Sequence, residues 1–390
     1  MATGLIPMRR VLTILTAVAL LTASLAVGAL AADLPFWRRA LQLPLPVDEL
    51  YLPVASIGVQ SPQHGRAVAG LAAPVPASMP PPELEEVVAR ARAAGSRALL
   101  VMQGGAVVLS RYFGADDGDS LLPAGLIARP VTAMAVGIAL ADHSIESLDV
   151  PVSRYLPEWA GEPRGQITLR QLLEDTSGLE SGGAPARVLR HSPWADARHL
   201  PVFATARGVR MLLGNDFAST ALGFELQHEP GGFYTASPAN AQLAALIIER
   251  ATGQPFEQYL ETHLWRGLAG GPAQLALDRR AGMPAAHCCW RATAPDMLGV
   301  LQLLAAGGAP VLPEGWAQQM ARPSRVHADT GMQLRRVEIG SFLGLTGSDE
   351  DGNEFWVFPQ RQLAILNIVN ANGTTPPDLP AMLLWIFGTR

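Results

Sequence analysis

The order in which hydrophobic patterning changes along the chain constrains its fold more than any single residue does. Residues 81–92 carry a helix start at Pro81-Pro82-Glu83 followed by apolar residues at helical spacing. Two short apolar runs come next, residues 99–103 and 106–109, and the Gly104-Gly105 pair between them is a hairpin signal. Near the other end, residues 354–358 and 363–369 read as two more strands, ahead of a final helix containing Leu383-Leu384-Trp385-Ile386. The middle reads as helical. No internal repeat or long low-complexity tract interrupts this order, and the length beyond residue 80 suits one large domain or two interleaved lobes, residues 81–390.

The first 80 residues differ. Met8-Arg9-Arg10 precedes an apolar run from Val11 to Ala32, with Ala29-Leu30-Ala31 as a cleavage triplet. The run is also close to the ~20 residues that span a bilayer. Residues 1–32 are therefore read as either a cleaved export signal or an uncleaved membrane anchor; both place the bulk of the protein outside the cytoplasm, periplasmic or anchored to the inner membrane. Residues 33–80, rich in proline and alanine, read as a tether or an extended arm along the domain.

The charged residues exclude several functions. Net charge is −5, without a basic run or an arginine–aromatic stripe, which leaves no electrostatic case for nucleic acid. All 29 basic residues are arginine, so a Walker-type phosphate loop, which needs lysine, is ruled out. No residue pattern calls for a cofactor, and the histidines show no HxH or HExxH spacing for a metal.

Several separated phrases resemble one family. Residues 125–140, then Ser147-Leu148-Asp149-Val150-Pro151-Val152 and Tyr155-Leu156-Pro157-Glu158, are similar to the nucleophile-bearing helix and following turn of the penicillin-recognising serine hydrolases. Residues 167–173 with Thr176-Ser177-Gly178-Leu179, Pro230-Gly231-Gly232-Phe233, residues 252–260, and Cys288-Cys289 before residues 292–296 continue the likeness in the same order. They point to the branch related to class C β-lactamases and 6-aminohexanoate-oligomer hydrolases. The resemblance spans roughly residues 80–385 and implies an α+β fold, an α/β/α sandwich in which both chain ends complete one antiparallel sheet and an α-rich lobe is inserted.

The catalytic letters of the family depart. Where it has Ser-x-x-Lys, this chain reads Leu126-Ile127-Ala128-Arg129. Leucine has no nucleophilic atom, and a guanidinium with pKa above ~12 cannot act as a general base. Counting without gaps from Pro230-Gly231, the Tyr-x-Asn motif falls on Ala236, Ser237 and Pro238, although Tyr234 and Asn240 lie within reach of a shifted alignment. The third motif, Lys-Thr-Gly or His-Thr-Gly, becomes Leu345-Thr346-Gly347 before Ser348. The backbone N–H groups of Leu126 and Ser348 remain as heirs of the family's oxyanion hole, able to hold a carbonyl or carboxylate without catalysis. The expected ligand-contacting residues are thus Leu126, Ser237, Thr346 and Ser348, with no catalytic residue and no metal.

The implied function is a catalytically inactive homologue that binds a small-molecule or peptide ligand, or a partner, in a degenerate cleft. The alternatives are a hydrolase with a relocated nucleophile, such as Ser120, Ser237 or a cysteine, and an interaction protein with no working pocket. Four local expectations accompany this reading. Arg129 either binds an anion at the cleft floor or, the favoured reading, pairs with an acidic neighbour such as Asp119. Pro130 delays the helix, so that regular structure starts near it and Arg129 stays in the lead-in. Cys288 and Cys289 are read as buried thiols at a helix start in preference to a vicinal disulfide, which an oxidising compartment allows, because neighbouring Cα atoms sit closer than the ~4.4–6.8 Å usual for a disulfide. Thr176-Ser177-Gly178 is a turn whose glycine permits positive φ.

Overall fold

The computed structural model describes residues 33–40, 53–58, 82–182, 207–268, 270–349, 351–370 and 373–388. Residues 1–32, read above as signal or anchor, lie outside them. Among the described residues no helix is long and apolar enough to cross a membrane.

The elements in chain order are α1 (Leu34–Ala40), β1 (Val54–Ile57), α2 (Pro82–Ala93), β2 (Ser96–Gln103), β3 (Ala106–Tyr112), β4 (Leu122–Pro123) and α3 (Gly125–Ala141). The helical middle follows as α4 (Leu169–Leu173), α5 (Arg207–Leu213), α6 (Phe217–Leu222), α7 (Pro238–Thr252) and α8 (Phe256–Leu260). Then come β5 (Ala273–Ala276), β6 (Trp290–Ala292), α9 (Ala294–Ala305), α10 (Trp316–Met320), β7 (Arg335–Ile339), β8 (Phe342–Ser348), β9 (Glu354–Phe358), β10 (Leu363–Val369) and α11 (Leu379–Gly388).

The strands from the two chain ends meet as expected. Six of them form an antiparallel sheet in the order β3-β2-β10-β9-β8-β7. Strand β10 sits centrally between β2 and β9, and all seven of its residues are buried, which is why it reads as a continuous Leu-Ala-Ile-Leu-Asn-Ile-Val run rather than an alternating one. Alternate residues of β2 and β10 face opposite cores. Leu99, Val101 and Ile365 join Leu84, Val87, Leu383 and Ile386 beneath α2 and α11. Leu100, Met102, Leu366 and Ile368 join α3, α7 and α9 on the other face. This is an α/β/α sandwich, with the inserted helices forming the second lobe.

Two described pieces of the proline-rich stretch, residues 33–40 and 53–58, lie along the domain. α1 buries Phe36 and Ala40 against Val209, Leu213 and Phe217, and β1 pairs antiparallel with β5 as the edge of a small sheet ordered β1-β5-β6-β4. Arg39 donates from α1 to the carbonyls of Leu213, Gly214 and Asp278, so it serves the exposed carbonyl end of α5. These two pieces belong to the fold rather than to a free tether. Composition averages over 48 residues, whereas burial depends on a few apolar side chains at the right spacing.

The helix at the centre of the molecule also differs from expectation. α3 is continuous from Gly125 and carries Pro130 inside it. Proline there removes the N–H that would bond the Leu126 carbonyl, at a cost of ~3 kcal/mol. Burial outweighs that cost, because Ile127, Ala128, Val131, Ala133, Met134, Ala135 and Val136 are all fully buried in the larger core. Close packing holds the next turn as well: a Cβ on Gly137 would come within 2.3 Å of the Trp316 ring, whose indole N–H donates to the Ala133 carbonyl at 3.1 Å.

Candidate functional site

A cleft of about 460 Å³ opens at the N-terminus of α3. Its walls are the start of α3, the loop leading to α7, the loop before β6, the approach to β7 and the end of β8. Leu126 is the second residue of α3, where a helical amide has no intrahelical acceptor, and its side chain lines the cleft. Ala236, Pro238, Thr346, Gly347 and Ser348 line it too. The degenerate motif positions are therefore brought together, with two exceptions. Leu345 turns into the larger core, as strand alternation with Thr346 requires, and leaves the cleft to its neighbour. Ser237 is fully buried at the N-cap of α7, its hydroxyl donating to the Glu180 carbonyl at 2.7 Å, so it is not the ligand contact expected of it. Thr346 donates its own hydroxyl to the Phe355 carbonyl at 2.7 Å.

The Arg129 head group lies in this cleft, in regular helix, and not in a lead-in aimed elsewhere. Its partner is Asp175, not Asp119: Nη2 donates to both carboxylate oxygens at 2.9 and 2.8 Å, while Nε donates to Gln333 Oε1 at 2.6 Å. Asp175 also accepts from Asn240 Nδ2 at 2.7 Å, and Gln333 Nε2 donates to the carbonyls of Leu172 and Leu173. Burial raises the Asp175 carboxyl above its ordinary value, opposed by Arg129, Asn240 and Gln333. This network ties α3, the turn after α4, α7 and the approach to β7 together, and it overrides the reluctance of a residue before proline to enter a helix. It also neutralises the arginine at contact distance, which leaves Arg129 structural rather than poised for an anion.

Of the two residues recoverable by a shifted alignment, Tyr234 lines the cleft and Asn240 does not. Asn240 is buried, accepting from Ser177 Oγ at 2.7 Å while it donates to Asp175. Burial and the charge of Asp175 push the Tyr234 phenol above its ordinary value, with Arg129 and Arg335 pulling the other way; at neutral pH the group is a hydroxyl and not a base. The Thr176-Ser177-Gly178 turn is as expected, with Gly178 at φ +78 and the Ser177 hydroxyl accepting from the Leu179 N–H. Ser120 sits on an exposed turn, bonded to Asp117.

Further groups line the cleft on the side of β6 and the end of β8. Cys288 and Cys289 form a vicinal disulfide ahead of β6, in place of the two thiols at a helix start. A Cα separation of 3.8 Å is below the usual disulfide range, and Cys289 meets it with positive φ. The His287 ring lies within hydrogen-bond distance of Gln242 Oε1, 3.0 Å from Nδ1; Nε2 is shielded from solvent and unpartnered. Burial, with Arg129 nearby, lowers this imidazole to about 3, so it is neutral. Asp349 accepts from the N–H groups of Asp351 and Asn353 and from Asn353 Nδ2, yet burial, reinforced by Asp351, pushes its carboxyl up to about 7. No set of three or more metal-ligating side chains occurs among the described residues.

Asp175, Gln333 and Asp349 were not identifiable beforehand. Each is a common polar residue without a motif, and its role depends on which helix or strand folds against it. The adjacent cysteines were visible, but their bond was not.

Known proteins share this architecture. The family model described as beta-lactamase matches residues 84–385. Protein flp of Staphylococcus aureus (strain MW2) is 27% identical over 176 residues, 42% of this chain and 32% of that protein. The 6-aminohexanoate-dimer hydrolase of Paenarthrobacter ureafaciens is 26% identical over 250 residues, 61% of this chain and 59% of that enzyme. The chain thus spans about a third of the first relative's length. A Bacillus anthracis structure, described provisionally as a 6-aminohexanoate-dimer hydrolase, superposes with a TM-score of 0.65 at 15% identity, covering 90% of this chain and 92% of its own. A D-stereospecific amidohydrolase from Streptomyces sp. gives a TM-score of 0.58 at 18% identity, covering 79% of this chain and 99% of its own. With the matched family model spanning most of its length, both core layers in place and the motif positions gathered at one cleft, this chain belongs to the β-lactamase family, with the penicillin-binding-like serine hydrolase fold.

Proposed function

We propose that this protein is a catalytically inactive member of the family that binds a small-molecule or peptide ligand in the cleft, outside the cytoplasm. The observation that carries the reading is the start of α3. At the nucleophile position stands Leu126, and one turn later the base position holds an arginine fixed by Asp175 and Gln333. A nucleophile and its base act as a unit, and losing one member commonly lowers the rate by ~10⁴–10⁶-fold. The relocated-nucleophile alternative loses two of its candidates: the Ser237 hydroxyl is buried and committed to Glu180, and the cysteines are joined to each other. A disulfide also suits an oxidising compartment, which supports export. The ligand's carbonyl is expected at the amides of Leu126 and Ser348, both residues of the cleft lining. Attachment to the membrane through the N-terminal apolar run is part of the same proposal.

The test is covalent labelling. The purified protein is incubated with a labelled penicillin and with a fluorophosphonate, and adducts are read by intact mass. No adduct is expected; stoichiometric labelling at any serine sinks the reading. A thermal-shift screen of amides, esters and D-amino-acid peptides then looks for ligands that raise the melting temperature, as binding to the native state must.

A further inference from the structure

We propose that Cys288–Cys289 is a redox-active site within the cleft, reduced by low-molecular-weight thiols that enter through the cleft mouth. The inference goes beyond the ligand-binding reading and does not depend on it.

Four observations on this structure lead there. Both cysteines line the cleft, Cys288 half-buried, so an incoming thiol reaches sulfur without unfolding the domain. The bridge joins adjacent residues. A disulfide stabilises chiefly by closing a loop in the unfolded chain, and this one closes almost none, so loop closure gives it no structural purpose. It lies at the start of α3: a Cβ on Gly125 would stand 3.4 Å from the Cys289 amide nitrogen. A helix N-terminus favours nearby negative charge, and the Cys289 backbone adjoins this one. Finally, His287, the residue preceding the pair, lines the same cleft as a buried, neutral imidazole, so it presents no charge of its own to the bridge.

The exchange balances without a cofactor. A thiolate attacks one sulfur of the bridge, forming a mixed disulfide and releasing the neighbouring cysteine as thiolate. A second thiolate attacks the outer sulfur of the mixed disulfide. The small thiol leaves as its own disulfide, the protein gains two electrons, and each cysteine thiolate takes a proton from water. The change reaches two places, because Cys288 and Cys289 also pack against the cluster containing Phe36 and Ala40 of α1.

The test uses the full chain, purified without reductant and treated with 2-mercaptoethanol in native buffer, then trapped with N-ethylmaleimide and mapped by mass. No adduct is expected before reduction, and afterwards two, at Cys288 and Cys289. The native rate should lie within about tenfold of the rate in denaturant, since thiol access, not unfolding, controls it. Ser348→Trp and Arg335→Trp each place a bulky ring on an exposed position of the cleft wall. At least one should slow reduction severalfold in native buffer and leave the rate in denaturant unchanged. Free thiols before treatment, reduction only in denaturant, or native rates unaffected by both folded variants would each overturn the proposal. Serine labelling by fluorophosphonate would defeat the preceding section and leave this one standing.

Discussion

Two sides of the cleft differ in how their polar groups are engaged. Around Arg129 the groups pair with one another: Arg129 with Asp175 and Gln333, Asp175 with Asn240, Asn240 with Ser177. On the side of β6 and the end of β8, burial keeps the His287 ring neutral and raises Asp349 toward neutrality, and two cysteines of the lining share a bond. The comparison teaches where chemistry remains available. At one motif position Arg129 clamps several elements together, and groups outside that clamp lie beside it.

Breaking the clamp should produce the largest effect. Arg129→Ala leaves the buried Asp175 carboxylate without its cation, and removing one member of a buried pair costs ~3–5 kcal/mol. The expected result is a clearly lower midpoint in urea unfolding. Replacing both partners with Arg129→Met and Asp175→Leu should recover much of the loss, because no charge is then stranded. If Arg129→Ala unfolds at the wild-type midpoint, the floor is not a clamp.

Asp349 should show itself in pH dependence. The Asp349 carboxyl rises from 3.8 to about 7 on folding, so between those values the folded protein holds a proton that the unfolded chain has lost. Stability from this group is full below the unfolded value and falls as pH rises toward 7, by up to ~1.4 kcal/mol per pH unit. Asp349→Asn should flatten that part of the profile in unfolding measurements from pH 4 to 7. An unchanged slope would place the carboxyl in ordinary solvent.

The smallest change is expected from the most tempting repair. Leu126→Ser restores a hydroxyl at the head of α3, but Arg129 and the protonated Tyr234 supply no base, so ester hydrolysis should stay near background in a p-nitrophenyl acetate assay. Adding Arg129→Lys and Ala236→Tyr is the route to weak activity. A single revertant with ordinary enzymatic turnover would show a base at the floor that the clamp does not reveal.

Much of the scaffold was legible because it depends on local pattern. The β2–β3 hairpin, β9, β10 and α2 fall within a few residues of where periodicity and the glycine pair put them. The site was legible only as a set of absences. Leu126, Arg129 and Ala236 stand where the family motif has other side chains, and that much is read from identity alone.

What replaced that machinery was decided in three dimensions. Pro130 predicts a late helix when read locally, and the packing of its neighbours in the core reverses that. Arg129 could pair with any acid; the fold places Asp175, 46 residues away, against it. Two adjacent cysteines offer either thiols or a bond, and the fold holds the bond, with Cys289 at positive φ. The sequence by itself determined which side chains stand at the motif positions, because no arrangement makes leucine a nucleophile or an arginine a base. Which groups are paired, buried or left open to the cleft depends on contacts between distant segments, and only the tertiary structure sets those.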